Sequence, residues 1–504
     1  MPLYDNLQSV ILAAGKSTRF NSSGTKLIEK ICGRPMIVYT LRLLEELNIN
    51  ATFVVGHQKE LIENTISSNI SRNTNIEVNF IHQKEQLGTG HAVACTQDKW
   101  KKDNILIING DTPLVNNQII EKLYKEHIES NAAISFVVAK CPDSNHAYGR
   151  IIREKSGIKI VEAKDFDKNI YTENYDINAG IYIAKTDFLN NCINKINTQN
   201  ASKEFYLTDL VQIASEKNLA VITYEAQFNR VMGVNTPYEL WQTEETKRLD
   251  IIKNFIDKGV KFSLMNAIEI DADTQIGAGT LIEYGVQISS GSIIGENCVI
   301  KKFSTISNSI IENNVEIYQN SIINNSQICK NTKIGPFAHV HEQSKIEQNS
   351  VVGNFVEIKT STIGQNNLVL HLAYLGNTIT GSTVNIGAGT ITCNYDGISK
   401  HSTTIKNNAF IGSNNTLVAP VTIGESSFTA AGSTITEDVP AHSLAIGRSK
   451  QVNKEDYVQR LLEKLRLKST STSSSDKKNN INNLEQENYI FSNTCKTNNS
   501  QENI

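Results

Sequence analysis

The sequence of 504 residues predicts an α/β domain with a mostly parallel sheet, followed by a parallel β-helix. Two observations lead to this prediction. In residues 7–236, short apolar runs alternate with stretches whose apolar residues recur at helical spacing. From about residue 264, an aliphatic residue recurs at every sixth position instead. This change of period predicts a domain boundary between the two regions.

Three apolar runs in the first region are typical of buried strands: Val10–Ala14, Thr52–Val55 and Ile105–Ile108. The segments Met36–Leu47 and Gln118–Glu129 carry apolar residues at helical spacing. Strands that alternate with helices indicate a mostly parallel sheet covered on both faces. In such sheets, ligands bind at the carboxyl ends of the strands.

A single helix, Pro237–Gly259, is predicted to connect the first domain (1–236) to the second (260–450). Its predicted apolar stripe consists of Leu240, Trp241, Leu249, Ile252 and Phe255.

The six-residue repeat is the most specific structural signal in the chain. Its first run consists of Ile270, Ile276, Ile282, Ile288, Ile294, Ile300 and Ile306. After short phase shifts it resumes at 328–352 and 405–423. Neither a helix with 3.6 residues per turn nor a strand with a period of two explains this spacing. A parallel β-helix does, because each short strand turns one aliphatic residue inward.

The end of the chain changes character again. Lys454–Lys468 is predicted to form a short amphipathic helix within residues 451–468. Residues 469–504 are rich in Ser, Asn, Lys and Glu. We predict that this tail is disordered, because it cannot bury enough apolar surface to offset the entropy of ordering.

Composition argues against several classes of protein. A formal net charge of −3 does not suit a general nucleic-acid binder, which needs a basic face. No run reaches the roughly 18 apolar residues of a membrane helix, and the first residues do not resemble a signal peptide. The eight cysteines form no CxxC pair, which favours free thiols over a zinc or disulfide framework. These features predict a cytoplasmic protein without a membrane partner.

Polar motifs follow the predicted strands of the first domain. The loop Leu12–Arg19 combines small residues, which let backbone N–H groups approach phosphates, with the cations Lys16 and Arg19. Its spacing is not that of a Walker P-loop, and taken alone it fits an ordinary tight turn equally well. Asp111, taken alone, would more often be a turn or cap residue than a ligand.

Taken together, the motifs resemble those of sugar-nucleotide pyrophosphorylases: LAAGKxTR (12–19), QLGTGHA (86–92), GDxPL (110–114) and YGRI (148–151). With the hexapeptide repeat, residues 7–450 resemble the family of bifunctional N-acetylglucosamine-1-phosphate uridyltransferases/glucosamine-1-phosphate acetyltransferases. The resemblance implies a Rossmann-like nucleotide-binding domain and a left-handed β-helix. It implies an enzyme that acetylates glucosamine-1-phosphate with acetyl-CoA and then transfers UMP from UTP to N-acetylglucosamine-1-phosphate. It also implies a homotrimer formed through the β-helix.

The resemblance assigns roles within the first domain. Asp111 and Asn235 would bind Mg²⁺, and Arg19 and Lys26 would face the triphosphate as catalytic residues. The UDP-sugar would be bound by Leu12, Ala13, Ala14, Gly15, Lys26, Gln83, Gly88, Thr89, Gly149, Glu162, Asn178 and Asn235. Relatives often carry tyrosine at the position of Asn109, which leaves the sugar contact there open.

In the second domain, four motifs resemble the acetyltransferase half of the family: Gly353–Lys359, His371–Gly376, Asn385–Thr390 and Cys393–Gly397. His371 would be the general base, and Lys359, Tyr374 and Asn385 would bind glucosamine-1-phosphate. Acetyl-CoA would be bound by Ala388, Asn394, Tyr395, Ser413, Ala431 and Arg448, with Asn394 also beside the sugar. The six-residue repeat is predicted to break at 371–376 and at the loop 394–400. Insertions in solenoids cluster on the binding face, so these breaks indicate where substrates bind.

One departure concerns the sugar phosphate. Relatives carry an arginine that binds it at the position of His341, and His339 lies two residues earlier. Whether His341 takes over that contact, or Lys359 alone holds the phosphate, stays open.

Three functions remain in competition at this level. The first is the bifunctional enzyme, and the second is a nucleotidyltransferase whose β-helix is an inert scaffold. The third is a non-catalytic regulatory subunit built on the same two folds. His371 and Asn385 argue against the second, and Lys26 and Asp111 argue against the third.

Overall fold

A computed structural model describes residues 4–16, 20, 24–142, 147–155, 157–167 and 176–471. The predicted catalytic residue Arg19 and residues 472–504 of the predicted disordered tail lie outside these residues. Residues up to Gly447 form one compact unit, and those from Arg448 onward form a second.

The first domain is built on one twisted sheet. Along the sheet, its strands are Val221–Glu225, Ile134–Lys140, Asp176–Lys185, Asn104–Asn109, Leu7–Ala13, Ala51–Val55 and Val78–His82. Leu7–Ala13 is parallel to both of its neighbours, whereas Asp176–Lys185 is antiparallel to its own. A hairpin of Arg150–Glu154 and Gly157–Val161 extends from Asp176–Lys185. The predicted mostly parallel sheet is confirmed.

Helices cover both faces of this sheet, and each face has its own apolar cluster. The α-helices are Met36–Leu47, Lys59–Asn69, Thr89–Ala94, Asn117–Glu129, Thr186–Cys192, Asp209–Glu216 and Phe228–Val231. The first matches its predicted bounds. Asn117–Glu129 begins one residue earlier than predicted, because the Asn116 side chain caps it by accepting from Ile119 N at 3.1 Å.

The connecting helix spans Pro237–Asp257. It begins with a capping box between Thr236 and Glu239, and Pro237 occupies its first turn. The predicted apolar stripe is wrong at Trp241, whose exposed fraction is 55%. Arg248 lies inside instead, where its guanidinium donates to the carbonyl oxygens of Met265 and Ile268 at 3.0 and 3.1 Å. Those bonds attach the helix to the start of the β-helix.

The second domain is a left-handed parallel β-helix with three faces. Face one consists of Lys261–Phe262, Leu281–Ile282, Val299–Ile300, Glu316–Ile317, Lys333–Ile334, Val351–Asn354, Leu368–His371, Asn385–Ile386, Phe410–Ile411, Phe428–Thr429 and Leu444–Ala445. Face two consists of Glu269–Ile270, Gln287–Ser289, Thr305–Ser307, Ile322–Asn324, His339–His341, Glu357–Lys359, Tyr374–Gly376, Ile391–Cys393, Thr416–Val418 and Thr434–Ile435. Face three consists of Gln275–Ile276, Ile293–Ile294, Ile310–Ile311, Gln327–Ile328, Lys345–Ile346, Thr362–Ile363, Thr378–Thr380, Thr403–Ile405 and Val421–Ile423.

The predicted aliphatic column is the core of the β-helix. All seven isoleucines from Ile270 to Ile306 are buried in one continuous cluster. The predicted break at 371–376 is wrong, because Val369 and Leu375 keep the six-residue period and both are fully buried. His371 ends a strand of face one, and Tyr374 begins the next strand of face two. The repeat therefore continues through this motif, and the motif residues occupy a tight corner.

The second predicted break is a true insertion. Residues 394–402 separate a strand of face two from the next strand of face three, and within them Tyr395 and Lys400 form an antiparallel bridge. Beyond Gly447, the second unit contains the helix Tyr457–Ser471, which begins three residues later than the predicted Lys454–Lys468 and ends three residues later. The predicted disorder is therefore wrong for residues 469–471, which continue this helix. None of the described helices is long and apolar enough to cross a membrane.

Candidate active sites

A cleft of about 590 Å³ opens at the carboxyl ends of the strands Leu7–Ala13 and Asn104–Asn109. The predicted residues that line it are Leu12, Ala13, Ala14, Gly15, Lys26, Gln83, Gly88, Thr89 and Asp111. Gln86 and Glu204 also line it and were not predicted. Gln86 stands in one of the recognised motifs, whereas Glu204 lies in a segment without a motif, so only tertiary structure could reveal it.

The backbone at Gly88 explains why glycine stands there. Its φ is +112°, and a Cβ atom at this position would lie 2.6 Å from the carbonyl oxygen of Phe205. Gln83 is almost fully buried, and its Nε2 donates to the carbonyl oxygen of Gly88 at 3.1 Å. The loop that borders the cleft is therefore fixed by packing as well as by hydrogen bonding.

Lys26, Asp111 and Asn235 meet in this cleft, although they lie far apart in the sequence. Lys26 Nζ lies 2.5 Å from Asp111 Oδ2 and 2.8 Å from Asn235 Oδ1. The side chains of Lys26 and Asp111 are largely buried. The two predicted metal ligands thus direct their oxygens toward one position, and oxygen ligands of this kind suit a hard divalent cation.

The connecting helix holds Asn235 in place. Glu239, in the first turn of the helix, accepts from the backbone N–H groups of Asn235 and Thr236 at 2.7 and 2.8 Å. The Asn235 side chain also donates to the carbonyl oxygen of Gly233 at 3.3 Å. The start of the helix therefore belongs structurally to the first domain.

A second cleft, of about 310 Å³, adjoins the first, and both are lined by Leu12, Thr89, Asn109 and Asp111. It contains the predicted sugar-binding residues Gly149, Glu162, Asn178 and Asn235. Tyr148, Tyr182, Leu207 and Thr208 line it as well and were not given this role. The predicted nucleotide and sugar residues therefore form one continuous groove.

Glu162 is the buried carboxyl group of this second cleft. Burial raises its pKa, and Thr208 Oγ1 donates to its Oε1 at 3.1 Å. A Cβ atom on Gly149 would lie 3.3 Å from Glu162 Oε2, so a larger residue at 149 would crowd the carboxyl group. Gly149 and the Glu162 carboxyl group are therefore closely packed along one side of the second cleft.

Asn109, the predicted departure, packs directly on Gly180. Gly180 has a φ of +72°, and a Cβ atom there would lie 2.1 Å from Asn109 Nδ2. The N–H of Gly180 donates to Asn178 Oδ1 at 3.1 Å. Asn109 is thus part of the wall that presents Asn178.

The predicted acetyltransferase residues gather at the corner between face one and face two. His371 pairs in register with Asn354 on the preceding coil, and its Nδ1 lies 2.7 Å from Asn354 Oδ1. Because the partner atom is an amide oxygen, Nδ1 carries the hydrogen and Nε2 is left as the acceptor. Sequence reasoning placed Asn354 inside a motif without giving it a role.

Face two brings the predicted phosphate contacts together. His341, Lys359 and Gly376 are in register on three successive coils. Lys359 Nζ lies 2.9 Å from Glu342 Oε1. His341 is only 9% exposed, and its Nε2 lies 3.1 Å from Glu357 Oε1. His341 therefore lies beside Lys359 but pairs with a carboxylate.

The two histidines of face two stack on each other, with ring centroids 3.9 Å apart and planes 8° apart. Burial, and next the charge of His341, lower the pKa of His339. Glu357 lies opposite His339 on the next coil. The stacking follows from strand geometry, because residues two apart on one strand point to the same side.

Tyr374 and Asn394 converge over Gly376. A Cβ atom on Gly376 would lie 2.6 Å from both Tyr374 Oη and Asn394 Nδ2. Asn394 Nδ2 also donates to Asn377 Oδ1 at 2.6 Å. Asn385 lies one coil beyond His371, on the next strand of face one. Tyr374 and Asn394 thus lie together on face two, whereas Asn385 is in register with Leu368, at the other end of the strand that ends at His371.

Ala388, Ser413 and Ala431 occupy equivalent turns on three successive coils. Asn414 N donates to the carbonyl oxygen of Ala388 at 2.7 Å, and Gly432 N donates to that of Ser413 at 2.8 Å. The residues predicted for acetyl-CoA therefore form a column along one edge. Tyr395 is exposed on the inserted loop, and Arg448 belongs to the second unit.

Comparison with known proteins gives matches for both domains. Residues 9–155 match the MobA-like NTP transferase domain family, and residues 264–380 match the GMPPB C-terminal domain family. The bifunctional protein GlmU of Thermosipho africanus (strain TCF52B) is 42% identical over 455 residues, which cover 90% of this chain and 97% of that protein. GlmU of Clostridium botulinum (strain 657 / Type Ba4) is 39% identical, with 89% and 97% covered. GlmU of Shouchella clausii (strain KSM-K16) is 38% identical, with 90% and 98% covered. The similarity therefore includes both the α/β domain and the β-helix.

Proposed function

This chain belongs to the bifunctional GlmU family, and we propose how its residues divide the two activities between two sites. The chain is a bifunctional enzyme of UDP-N-acetylglucosamine synthesis, with uridyltransferase and acetyltransferase activity. The α/β domain carries the uridyltransferase and the β-helix carries the acetyltransferase. The observation that supports this division most directly is that each domain collects its own set of charged and polar side chains.

In the α/β domain, the convergence of Lys26, Asp111 and Asn235 supports a divalent metal site. The family and its nucleotidyltransferase domain are compatible with a divalent cation, and we propose Mg²⁺, held by Asp111 and Asn235. Bound there, Mg²⁺ would supply positive charge to the phosphate oxygens of UTP. Lys26, and Arg19 by resemblance, add positive charge on the protein side.

The remaining groove residues position the two substrates. We assign Gln83, Gly88 and Thr89 to the uridine side, and Glu162 and Asn178 to the N-acetylglucosamine side. The attacking phosphate of N-acetylglucosamine-1-phosphate is already ionised, so the protein need not supply a general base. Catalysis by these residues then consists of alignment and of neutralising the repulsion between two anions.

In the β-helix, His371 acts as the general base. Its Nδ1–H is held by Asn354, so Nε2 is free to accept the proton of the glucosamine amine as that nitrogen attacks the thioester of acetyl-CoA. Lys359, Tyr374 and Asn385 bind glucosamine-1-phosphate. Asn394 lies beside the sugar and, with Ala388, Tyr395, Ser413 and Ala431, contacts acetyl-CoA.

An exposed apolar corner supports assembly with further copies of this chain. Phe337, Phe355 and Leu372 lie at equivalent positions before successive strands of face two, and they are 48%, 55% and 61% exposed. The rings of Phe337 and Phe355 stack with centroids 5.3 Å apart. Large apolar side chains aligned in this way favour an interface. We propose that a second copy covers them and that a closed ring of three copies forms, as the resemblance implies.

This corner adjoins Asn354 and His371, so a neighbouring copy would border the acetyltransferase site. The cysteines of the described residues are all free, which favours a reducing compartment, and we propose the cytoplasm. Sedimentation equilibrium tests the assembly. We expect a trimer for the full chain and dissociation by Phe355→Asp, whereas Phe428→Asp, at a different corner, should stay trimeric.

Two assays on the pure full-length protein test the proposed function. One follows pyrophosphate release from UTP and N-acetylglucosamine-1-phosphate, and the other follows thiol release from acetyl-CoA and glucosamine-1-phosphate. Activity in both supports the proposal. Pyrophosphate release without thiol release would leave the β-helix as an inert scaffold, and inactivity in both would favour a regulatory subunit.

A further inference from the structure

A cluster of nitrogen and oxygen ligands lies on the outer surface of face two. His339 and His341 are two residues apart on one strand, and both point outward because Val340 between them is fully buried. Glu357 lies on the next coil, opposite His339. One ligand atom from each of the three side chains lies within 4.8 Å of the others.

We propose that His339, His341 and Glu357 form a binding site for Zn²⁺, and that the bound ion attracts the phosphate of the sugar substrate toward Lys359. The first part rests on the geometry of the cluster alone. The second part rests on the proposed acetyltransferase function.

The ligand set suits zinc better than a hard cation. Zn²⁺ binds imidazole nitrogen and carboxylate oxygen at about 2.0–2.2 Å, usually with four ligands, whereas Mg²⁺ and Ca²⁺ prefer oxygen ligands alone. Atoms that share a tetrahedral zinc ion lie roughly 3.3–3.5 Å apart. His341 Nε2 and Glu357 Oε1 are already 3.1 Å apart. His339 stacks on His341 with planes 8° apart, so its ring must turn out of the stack to direct a nitrogen at the same ion. Three protein ligands leave a fourth position for water or a phosphate oxygen.

A second carboxylate lies near the other ring nitrogen of His341. Glu342 Oε1 is 3.9 Å from His341 Nδ1, which is an electrostatic contact and too long for a hydrogen bond. A carboxylate that moved within hydrogen-bond distance of Nδ1 would orient the ring and increase its basicity toward a metal ion. Lys359 forms an ion pair with the same carboxylate, that of Glu342. This ion pair connects the three-residue cluster to the proposed phosphate site.

The balance of charge explains why an ion would help phosphate binding. Lys359 is matched by Glu342, and Glu357 adds a second carboxylate to the same surface. With neutral imidazoles, Lys359, Glu342 and Glu357 carry one positive and two negative charges, and Lys400 also acts on Glu342. The two lysines are thus matched by two carboxylates. A divalent cation on His339, His341 and Glu357 would make the local charge positive and offer a coordination position to the phosphate.

The metal site is tested by titrating Zn²⁺ into the full-length protein. The protein is first stripped with a chelator and then held in excess Mg²⁺, so that oxygen-only sites are filled. Calorimetry on the wild type should show one high-affinity Zn²⁺ per chain. In His341→Ala and Glu357→Gln, we expect the affinity of that site to fall at least tenfold. His442→Asn, a change at an exposed histidine outside both proposed sites, is the matched control and should bind as the wild type does.

Co²⁺ provides a second readout. Visible absorption typical of tetrahedral cobalt should appear in the wild type and be lost in both cluster variants. Zinc binding that is equal in the wild type, His341→Ala and Glu357→Gln would overturn the site and assign the ion to the free cysteines or elsewhere. Circular dichroism on each variant shows whether it is folded, and His339→Gln serves as a replacement for any variant that is not.

The phosphate role has its own measurement. Zn²⁺ should lower KM for glucosamine-1-phosphate at least threefold in the wild type, and it should change neither KM for acetyl-CoA nor KM in His341→Ala. Stoichiometric zinc binding without any effect on that KM would overturn the phosphate role. If the wild type showed no acetyl transfer, the proposed function would fail, but calorimetric titration of glucosamine-1-phosphate with and without Zn²⁺ would still decide the inference.

Discussion

Lys26 Nζ lies 2.5 Å from Asp111 Oδ2, in a largely buried pair that joins the short helical turn Lys26–Ile28 to the end of a central strand. Asn235 Oδ1 lies 2.8 Å from the same ammonium. An ammonium held between two ligand oxygens keeps them together, and it compensates the charge of the Asp111 carboxylate until a cation and phosphates enter. We therefore regard Lys26 as the residue that pre-forms the proposed Mg²⁺ site.

Asp111→Ala tests this arrangement. It removes the one carboxylate assigned to Mg²⁺, so we expect pyrophosphate release to fall by roughly 10²–10³-fold, the scale for losing a major electrostatic contact. Thiol release should stay at the wild-type rate, because the β-helix is untouched. Asp98→Ala, at an exposed carboxylate, should preserve both rates. Full uridyltransferase activity in Asp111→Ala would contradict the metal assignment.

The boundary of the first domain leads to a second prediction. A fragment of residues 1–236 lacks Glu239, which holds the backbone of Asn235, and it lacks the helix that packs against the first domain. We expect a fragment of residues 1–259 to retain Mg²⁺-dependent pyrophosphate release and the shorter fragment to lose most of it. Equal activity of the two fragments would show that the helix does not position Asn235.

Both folds could be predicted from the sequence because each rests on a local pattern. Seven isoleucines at a spacing of six require stacked coils, and the run Ile105–Ile108 followed by Asp111 places a carboxylate at a strand end. The errors have physical causes. Trp241 fits the predicted apolar stripe of the connecting helix but is exposed in the structure. Arg248 is buried on that helix instead, because its guanidinium donates to two carbonyl oxygens at the start of the β-helix.

The candidate sites could be predicted only where a motif carried them. Asn354 acts on His371 from the preceding coil, and Glu204 reaches the nucleotide cleft from a segment without a motif. The stacking of His339 on His341 depends on strand geometry, and the pairing with Glu357 depends on coil register. The spacing of the two histidines is visible in the sequence, but the contact with Glu357, which lies on another coil, is not.

Asn354→Ala tests the proposed positioning of His371. Without the amide oxygen, the ring is no longer held with its hydrogen on Nδ1. We expect kcat for acetyl transfer to fall by roughly 10–100-fold, which is less than the ~10²–10⁴-fold contribution of a general base itself. KM for both substrates should change little. Asn354→Asp keeps an acceptor oxygen and should recover most of the rate. A rise in KM at unchanged kcat would instead indicate that Asn354 binds substrate.

His127 predicts a pH dependence of stability. It is fully buried between Ser135 Oγ and Asn104 Oδ1, at 2.8 and 3.1 Å, and burial lowers its pKa to about 4. In the unfolded chain, the pKa is about 6.5. The pKa of His127 is lower in the folded chain than in the unfolded chain. Neutral His127 therefore makes its full contribution to the free energy of unfolding above pH ~6.5, and this contribution is lost as the pH falls toward 4.

Linkage then gives about 2 kcal/mol less free energy of unfolding for the first domain at pH 5 than at pH 7. Urea unfolding of the wild type and of His127→Gln measures it, because a glutamine does not titrate in this range. The difference between the two proteins isolates His127 from the carboxyl groups, which titrate in both. If the difference in free energy of unfolding between the two proteins stayed constant from pH 7 to pH 5, the pKa of His127 would be the same in the folded and the unfolded chain.

His341→Arg tests how the sugar phosphate is held when no metal is present. A guanidinium stays charged at every working pH and can grip phosphate with two parallel hydrogen bonds. At position 341 it would stand in register with Lys359, on the coil before it. In chelator-treated protein, we expect KM for glucosamine-1-phosphate to fall about fivefold, or about 1 kcal/mol, the net scale of one ordinary hydrogen bond. KM for acetyl-CoA should not change.

Glu357 competes for the new guanidinium, because it already pairs with His341. An unchanged KM in His341→Arg, together with a lower KM in the double variant with Glu357→Gln, would show that this carboxylate captures the arginine. An unchanged KM in both would leave Lys359 as the sole phosphate contact of this surface.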